Sequence, residues 1–220
     1  SQTQYVRIEE ARNNSLKIDW NQTAIYKPNT TGIVVYDDFS ISEIREYINW
    51  MFFFIVWQIR GKFPDLLSDP KTGHEAWKLF DDANKLLDDI INKKLLKAKG
   101  VVGLFPANST GDDIEVYADE NREKVIARFI NLRNQEQKSN GLPNLCLADF
   151  IAPRSSGIKD YIGAFAVTAG HGIENIIAEF EKKLDDYHII MIKALADRLA
   201  EAFTELIHLK IRKELWGYAA

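Results

Sequence analysis

The sequence predicts an α+β fold, with short strands in the middle of the chain and helices on either side. Five segments between residues 101 and 167 are short, rich in β-branched and aromatic residues, and separated by Gly, Pro, Asn or Asp. This pattern is typical of an antiparallel sheet. Apolar residues recur at helical spacing before and after these segments. Strands grouped in the middle with helices outside them favour α+β over alternating βαβ units.

The N-terminal part combines an irregular arm with the first regular elements. Residues 1–31 contain scattered Asn, Thr and Pro and are expected to form an arm or linker. Gly32–Tyr36 predicts a short strand. Ser40 with Glu43 three positions later is a capping box, which predicts a helix beginning there. The segment Trp50–Ile59 is too apolar to face water and is expected to be buried.

Two long helices are predicted around the strands. Thr72 and Glu75 form a second capping box, and helical periodicity continues behind it until Gly100. A longer apolar stripe over residues 184–213 corresponds to about 45 Å of unbroken helix. The predicted strands between the helices are Val101–Phe105, Ile114–Tyr117, Val125–Leu132, Leu145–Phe150 and Tyr161–Val167, the third of which could also be drawn within a helix over Arg122–Lys138.

Composition and motifs exclude several classes of function. The net charge of −4 and pI of about 5.6 argue against a nucleic-acid-binding protein. The apolar run Ile48–Ile59 is too short to cross a bilayer, so no membrane partner is expected. The lone Cys146 cannot form an intrachain disulfide and is read as a core residue, in agreement with a reducing cytoplasm. The sequence contains no GxGxxG, Walker or CxxC motif.

Two polar residues interrupt apolar surroundings and are the candidate site residues. Glu201 has small and apolar neighbours and is expected on the inner side of its helix, where a carboxylate requires a partner. That partner could be an Arg or Lys, or a cationic group of a ligand. Asn49 either caps a kink between two helices or belongs to a site. Glu205 and His208 have a spacing found in metal sites, but amphipathic surface positions explain them better.

Several long motifs resemble the activation domain of cobalamin-dependent methionine synthase, from about residue 32 to the last residue. The similarity is specific because the motifs are long and occur in the same order. They are Tyr47–Trp50 with Gly61–Pro64, Gly100–Asn108 with Gly111–Glu115, Cys146–Pro153, Asp160–Thr168, Lys193–Phe203 and Trp216–Tyr218.

This resemblance implies a single bent α+β domain with a central antiparallel sheet flanked by long helices. It also implies that the domain binds S-adenosylmethionine and presents it to cobalamin held mainly by a separate cobalamin-binding domain of the parent enzyme. There, oxidised cob(II)alamin is reductively remethylated with an electron from a flavodoxin-like donor. Because the sulfonium is already an activated methyl donor, the domain needs no catalytic residue of its own.

The resemblance assigns S-adenosylmethionine contacts to two positions. Glu201 matches a ligand-binding carboxylate, and Asn49 stands where the family usually has Asp, so a charge is lost there. The family continues beyond Trp216–Tyr218 into further ligand-binding motifs, and the C-terminal part of its domain is therefore expected to be missing here. The alternative is a non-catalytic docking module for a cobalamin domain or flavoprotein that no longer binds the nucleotide.

Overall fold

One five-stranded sheet runs through the computed structural model, which describes residues 3–139 and 141–219. The strands are β1 (Gly32–Phe39), β2 (Lys97–Thr110), β3 (Asp113–Tyr117), β4 (Val125–Phe129) and β5 (Asp160–His171). Their order is β1-β2-β3-β4, and β5 also pairs with β2. The β2/β3 and β3/β4 pairs are antiparallel. The predicted α+β class with an antiparallel sheet flanked by helices is therefore confirmed.

The helices of the described residues precede, interrupt and follow these strands. They are α1 (Ile8–Asn13), α2 (Ile41–Arg45), α3 (Trp50–Val56), α4 (Gly73–Asn92), α5 (Ile173–Lys182) and α6 (Asp186–Lys210). Short 3-10 turns cover Asp65–Ser68, Leu147–Phe150 and Arg154–Ser156, and a π-helical turn covers Ile211–Leu215. No helix within these residues has the length and apolar character needed to cross a membrane.

Helix α4 is shorter than predicted at its C-terminal end. It ends at Asn92, and Lys94 adopts a left-handed conformation with φ 51° that leads into β2. Its capping box is not formed, because Thr72 makes no side-chain cap. Instead the Asp69 carboxylate accepts hydrogen bonds from the Lys71 and Thr72 amides at 2.8 and 2.9 Å. The final helix also differs, since α6 gives way to the π-helical turn instead of continuing unbroken to Lys213.

The chain divides into two compact units. The first comprises Ser1–Ile33, Gly103–Ala164 and Arg212–Ala220, and the second comprises Val34–Val102 and Phe165–Ile211. In the second unit, α6 buries an apolar stripe that contacts α2, α3 and α4. Leu195, Leu199 and Phe203 are fully buried members of this stripe. The predicted helical periodicity is thus accounted for by packing onto three other helices.

The first unit is organised around a buried cation. Arg133 donates to Asp112 at 2.7 and 2.9 Å and to Asp149 at 2.7 and 2.8 Å, and all three side chains are largely buried. Arg12, from the N-terminal arm, donates to Asp112 at 2.8 Å. Burial alone would raise the pKa of Asp112, but the hydrogen bonds from Arg12 and Arg133 outweigh it and hold that pKa below its ordinary value. The arm is therefore tied to this unit by an ion pair.

The predicted strand Leu145–Phe150 is wrong, because this segment forms a 3-10 turn over Leu147–Phe150. The Cys146 amide donates to the Asp149 carboxylate at 2.9 Å, which closes the turn. Two of its apolar side chains, Leu147 and Phe150, are more than half exposed, so the apolar run did not mark a buried strand. Cys146 itself is buried, as predicted. The segment Val125–Leu132 does contain a strand, β4, in place of the helical alternative.

Candidate functional site

Asn49 starts α3 in the second unit. Its backbone is extended, and its side-chain oxygen accepts a hydrogen bond from the Met51 amide at 3.2 Å, which makes it the N-cap of the helix. The proposed capping role is therefore confirmed. Because Oδ1 serves the cap, the amide nitrogen Nδ2 points elsewhere, and it has no hydrogen-bond partner among the described residues. Asn49 thus combines a structural role with one unused donor.

A cleft of about 540 Å³ opens beside Asn49. This volume lies in the range of small-molecule sites in proteins. Cations and aromatic rings both line it, among them Arg45, Lys62, Trp50 and Phe63. Arg45 is already held by the Asp88 carboxylate at 2.6 Å and by an asparagine side chain at 2.7 Å. The cleft therefore offers stacking surfaces together with groups able to meet a polar ligand.

The segment Trp50–Ile59 is only partly buried, contrary to the prediction. Phe53 and Phe54 are fully buried, whereas Phe52, Ile55 and Val56 are 43%, 49% and 52% exposed. A helix in contact with the rest of a unit along one side cannot bury a run that is apolar all round. As a result, α3 presents an apolar outer face beside the position of Asn49.

The structure places Glu201 on the outer side of α6, not on the inner side that the sequence suggested. Its side chain is 45% exposed. At 3.6 residues per turn, Glu201 lies about 150° from the centre of the buried stripe formed by Leu199, Ala202, Phe203 and Leu206. Small neighbours in the sequence misled the prediction, because adjacent helical positions do not share a face.

Glu201 has an arginine partner, one of the two alternatives that the sequence left open. Arg198, one turn earlier on α6, pairs with the Glu201 carboxylate and with Asp197, the latter at 2.6 Å. The guanidinium carbon of Arg198 also lies 5.4 Å from the centroid of the Phe52 ring on α3. With a side chain only 14% exposed, Arg198 is the best-buried member of this group.

Arg198 links the helices that carry the two predicted site residues. Phe52 lies about one turn after Asn49 on α3, and Glu201 lies about one turn after Arg198 on α6. Glu201 does not line the cleft beside Asn49. The structure therefore brings the two positions to packed helices of one unit but not to one cleft, and their role in ligand binding stays a prediction.

The residues that connect these positions were not predicted from the sequence. Arg198 was recognisable from its i,i+3 spacing to Glu201, which places the two side chains side by side on a helix. Phe52 lies within the apolar run Trp50–Ile59, and no sequence spacing relates it to Arg198. Arg45 and Lys62 enter the cleft from segments on either side of α3, a tertiary proximity that single-sequence patterns do not encode.

The possible chemistry is that of a binding surface. Two exposed carboxylates share one guanidinium, and an exposed apolar helix face lies next to an aromatic-lined cleft. Among the residues that the structure describes, no three His, Cys, Asp or Glu side chains are grouped as metal ligands would be. Such a surface is suited to a small cationic or zwitterionic molecule with an aromatic part.

The architecture defines the class of protein: an α+β domain built on an antiparallel sheet, with a polar surface formed by its helices. The sequence profile described as "vitamin B12 dependent methionine synthase, activation domain" matches residues 40–220. The chain belongs to this family.

A solved structure agrees with this assignment. The chain is similar to the crystal structure described as the MetH reactivation domain bound to AdoHcy, with 49% sequence identity and a TM-score of 0.95. The similarity covers 98% of this chain and 66% of that one, so this chain spans slightly less than two thirds of that relative.

Proposed function

We propose that this chain acts as the reactivation domain of a cobalamin-dependent methionine synthase and binds S-adenosylmethionine for the reductive remethylation of cob(II)alamin. The observation that carries the proposal is the similarity at 49% identity to a reactivation domain bound to AdoHcy, the demethylated form of this ligand. The family match over residues 40–220 supports the same role. The domain is an accessory part of a methyltransferase, and no residue of it is assigned to catalysis.

Asn49 and Glu201 are the proposed contacts to S-adenosylmethionine. The ligand is zwitterionic at its amino-acid end and carries a sulfonium, which supplies the activated methyl group. The partly exposed Glu201 carboxylate attracts these cationic groups and can accept hydrogen bonds from them while it stays paired with the largely buried Arg198. At Asn49 a neutral amide stands where the family usually has Asp, so this position meets the ammonium of the ligand without a charge and binds it more weakly than a carboxylate would. The aromatic lining of the neighbouring cleft suits the purine.

Partners and location follow from the parent enzyme. The proposed partners are the cobalamin-binding domain, which holds the corrin, and a flavodoxin-like protein that supplies the electron, in the cytoplasm. The exposed apolar face formed by Phe52, Ile55 and Val56 supports a role in protein contacts, because exposed patches of this kind commonly mark interaction surfaces.

Isothermal titration calorimetry with S-adenosylmethionine tests the proposal. The chain is titrated alone and as a fusion to the part of its solved relative that it does not cover, since the similarity spans 66% of that relative. Saturable binding, weakened at least fivefold by Glu201→Gln, is the expected result. The matched control Glu179→Gln removes a comparably exposed carboxylate on α5 that also pairs one turn away, and it should leave binding unchanged. If neither protein binds the nucleotide at millimolar concentration, the role is that of a docking module instead.

A further inference from the structure

Glu201 shares the Arg198 cation with a second carboxylate, Asp197. Asp197 and Glu201 are both accessible, with 72% and 45% of their side chains exposed, whereas Arg198 between them is 14% exposed. Its guanidinium uses one nitrogen for each carboxylate and keeps its carbon 5.4 Å from the Phe52 ring centroid. Two negative charges and one positive charge leave a net charge of about −1 in this group.

The Phe52 contact holds Arg198 in place while leaving the carboxylates accessible. An aromatic face attracts a guanidinium, and stacking removes one side of it from water. The two carboxylates are less restrained, because each is much more exposed than Arg198 and keeps part of its surface in water. The guanidinium is therefore the fixed element of the group, and Glu201 can share its remaining acceptor capacity with another cation.

We infer that Arg198 acts as a resident counter-cation that tunes how strongly the Glu201 surface prefers sulfonium S-adenosylmethionine over thioether S-adenosylhomocysteine. The inference rests on the proposed function, since it assumes that the nucleotide meets Glu201. The two ligands differ by one methyl group and one positive charge at sulfur. Their amino-acid ends are the same, so a change in local protein charge acts mainly on the difference at sulfur.

The direction and size of the effect follow from Coulomb's law. Replacing Arg198 with a neutral residue makes the group more negative by one unit, which favours the sulfonium. If the sulfonium binds about 7 Å from the altered charge, one unit of charge changes the affinity ratio by about threefold in a water-like dielectric. At the lower effective dielectric of a protein surface the change is about tenfold or more. Salt should reduce the effect, because the carboxylates are exposed.

Calorimetric titration of wild type and variants with both nucleotides provides the test. The readout is the ratio of the Kd for S-adenosylhomocysteine to that for S-adenosylmethionine. Arg198→Gln should raise this ratio threefold to tenfold. Arg198→Lys keeps the charge but loses the planar fork, so its ratio should stay within about twofold of wild type. Lys182→Gln on α5, which also removes a cation paired to a Glu one turn away, should leave the ratio unchanged.

A second variant, which should shift the Kd ratio in the opposite direction, keeps the test valid even if Arg198→Gln does not fold. Asp197→Asn removes the more exposed carboxylate, so Arg198 neutralises Glu201 more completely and the ratio should fall about threefold. An unchanged ratio in both Arg198→Gln and Asp197→Asn would overturn the inference, as would equal changes in Arg198→Lys and Arg198→Gln. If Glu201→Gln leaves S-adenosylmethionine binding intact, the proposed site itself is wrong, which is a separate result.

Discussion

Changing Asn49 to Asp tests the proposed site at the position that departs from the family pattern. Oδ1 of Asn49 accepts from the Met51 amide at 3.2 Å, and one oxygen of an Asp can do the same. Asn and Asp are similarly good N-caps, so the stability of α3 should change little. The second oxygen would then replace the unused Nδ2 and direct a charged acceptor away from the helix, toward the ammonium of the ligand.

The gain in affinity can be bounded from the surroundings. Exchanging a neutral for a charged hydrogen bond contributes about 1–2 kcal/mol, or about fivefold to thirtyfold in Kd. Arg45, Lys62 and Glu46 all line the same cleft, so the two cations would partly neutralise the new carboxylate while Glu46 would repel it. Arg45 is already paired with Asp88, so Lys62 is the main competitor. We therefore expect the lower end, about fivefold, and an equal gain for both nucleotides because both carry the ammonium.

Calorimetry on Asn49→Asp and Asn49→Ala separates the effect of the added charge on ligand affinity from the effect of losing the helix cap. The Ala variant loses the cap and should be less stable by about 1 kcal/mol in urea unfolding, without gaining affinity. An Asp variant that folds like wild type and binds either nucleotide no more tightly would refute the assignment of Asn49 to the site. A gain restricted to S-adenosylmethionine would show that position 49 faces the sulfonium and not the ammonium.

Three further predictions concern the stability of the two units. Arg133→Met leaves the buried Asp149 carboxylate without a cation and Asp112 with Arg12 alone, so it should lower the free energy of unfolding by about 3–5 kcal/mol in urea titrations; a loss below 1 kcal/mol contradicts the network. Folding lowers the pKa of Asp112, so this carboxylate stabilises the folded protein fully above its unfolded pKa of about 3.9. That contribution is lost as the pH falls through the lower folded pKa, and Asp112→Asn should therefore make the free energy of unfolding less dependent on pH in the acid range. Gly172 has a φ of 99°, and a Cβ there would lie 2.8 Å from the Leu95 carbonyl oxygen. Gly172→Ala should therefore lower thermal stability more than Gly157→Ala, because Gly157 has a φ of 71° but a Cβ there would meet open space; equal losses would contradict the contact.

Local sequence signals predicted elements well where the structure-forming force is itself local. The Ser40 cap is formed as the capping box suggested, with the Ser40 hydroxyl accepting from the Glu43 amide. The equivalent pattern at Thr72 failed, because the Asp69 carboxylate, which lies outside that motif, accepts from both the amide and the hydroxyl of Thr72. Both segments contain polar residues able to cap, and only the three-dimensional path of the preceding turn decides which side chain reaches the amides.

Side-chain burial was predicted less well because neighbours in sequence are not neighbours in space. The apolar segment Leu145–Phe150 reads as a strand, yet the Asp149 carboxylate closes a 3-10 turn that leaves Leu147 exposed. Asp149 is held in turn by Arg133, 16 residues away, and such a contact leaves no periodic trace in the sequence. The family resemblance supplied what periodicity could not, since it compares whole motifs whose spacing already reflects tertiary contacts.

The exposure of Glu201 strengthens the case for a ligand contact, although it contradicts the burial on which that case first rested. A carboxylate sealed in an apolar core would need a permanent partner, and separating a buried pair leaves an uncompensated charge at a penalty of about 3–5 kcal/mol. The Glu201 side chain is 45% exposed, so one side of its carboxylate can meet an incoming cation while the other stays paired with Arg198. Arg198 is restrained by Phe52 and shared with Asp197, so Glu201 can change partners without leaving the arginine unpaired. For the role proposed above, in which the nucleotide is bound and released, this arrangement is better suited than a buried charge.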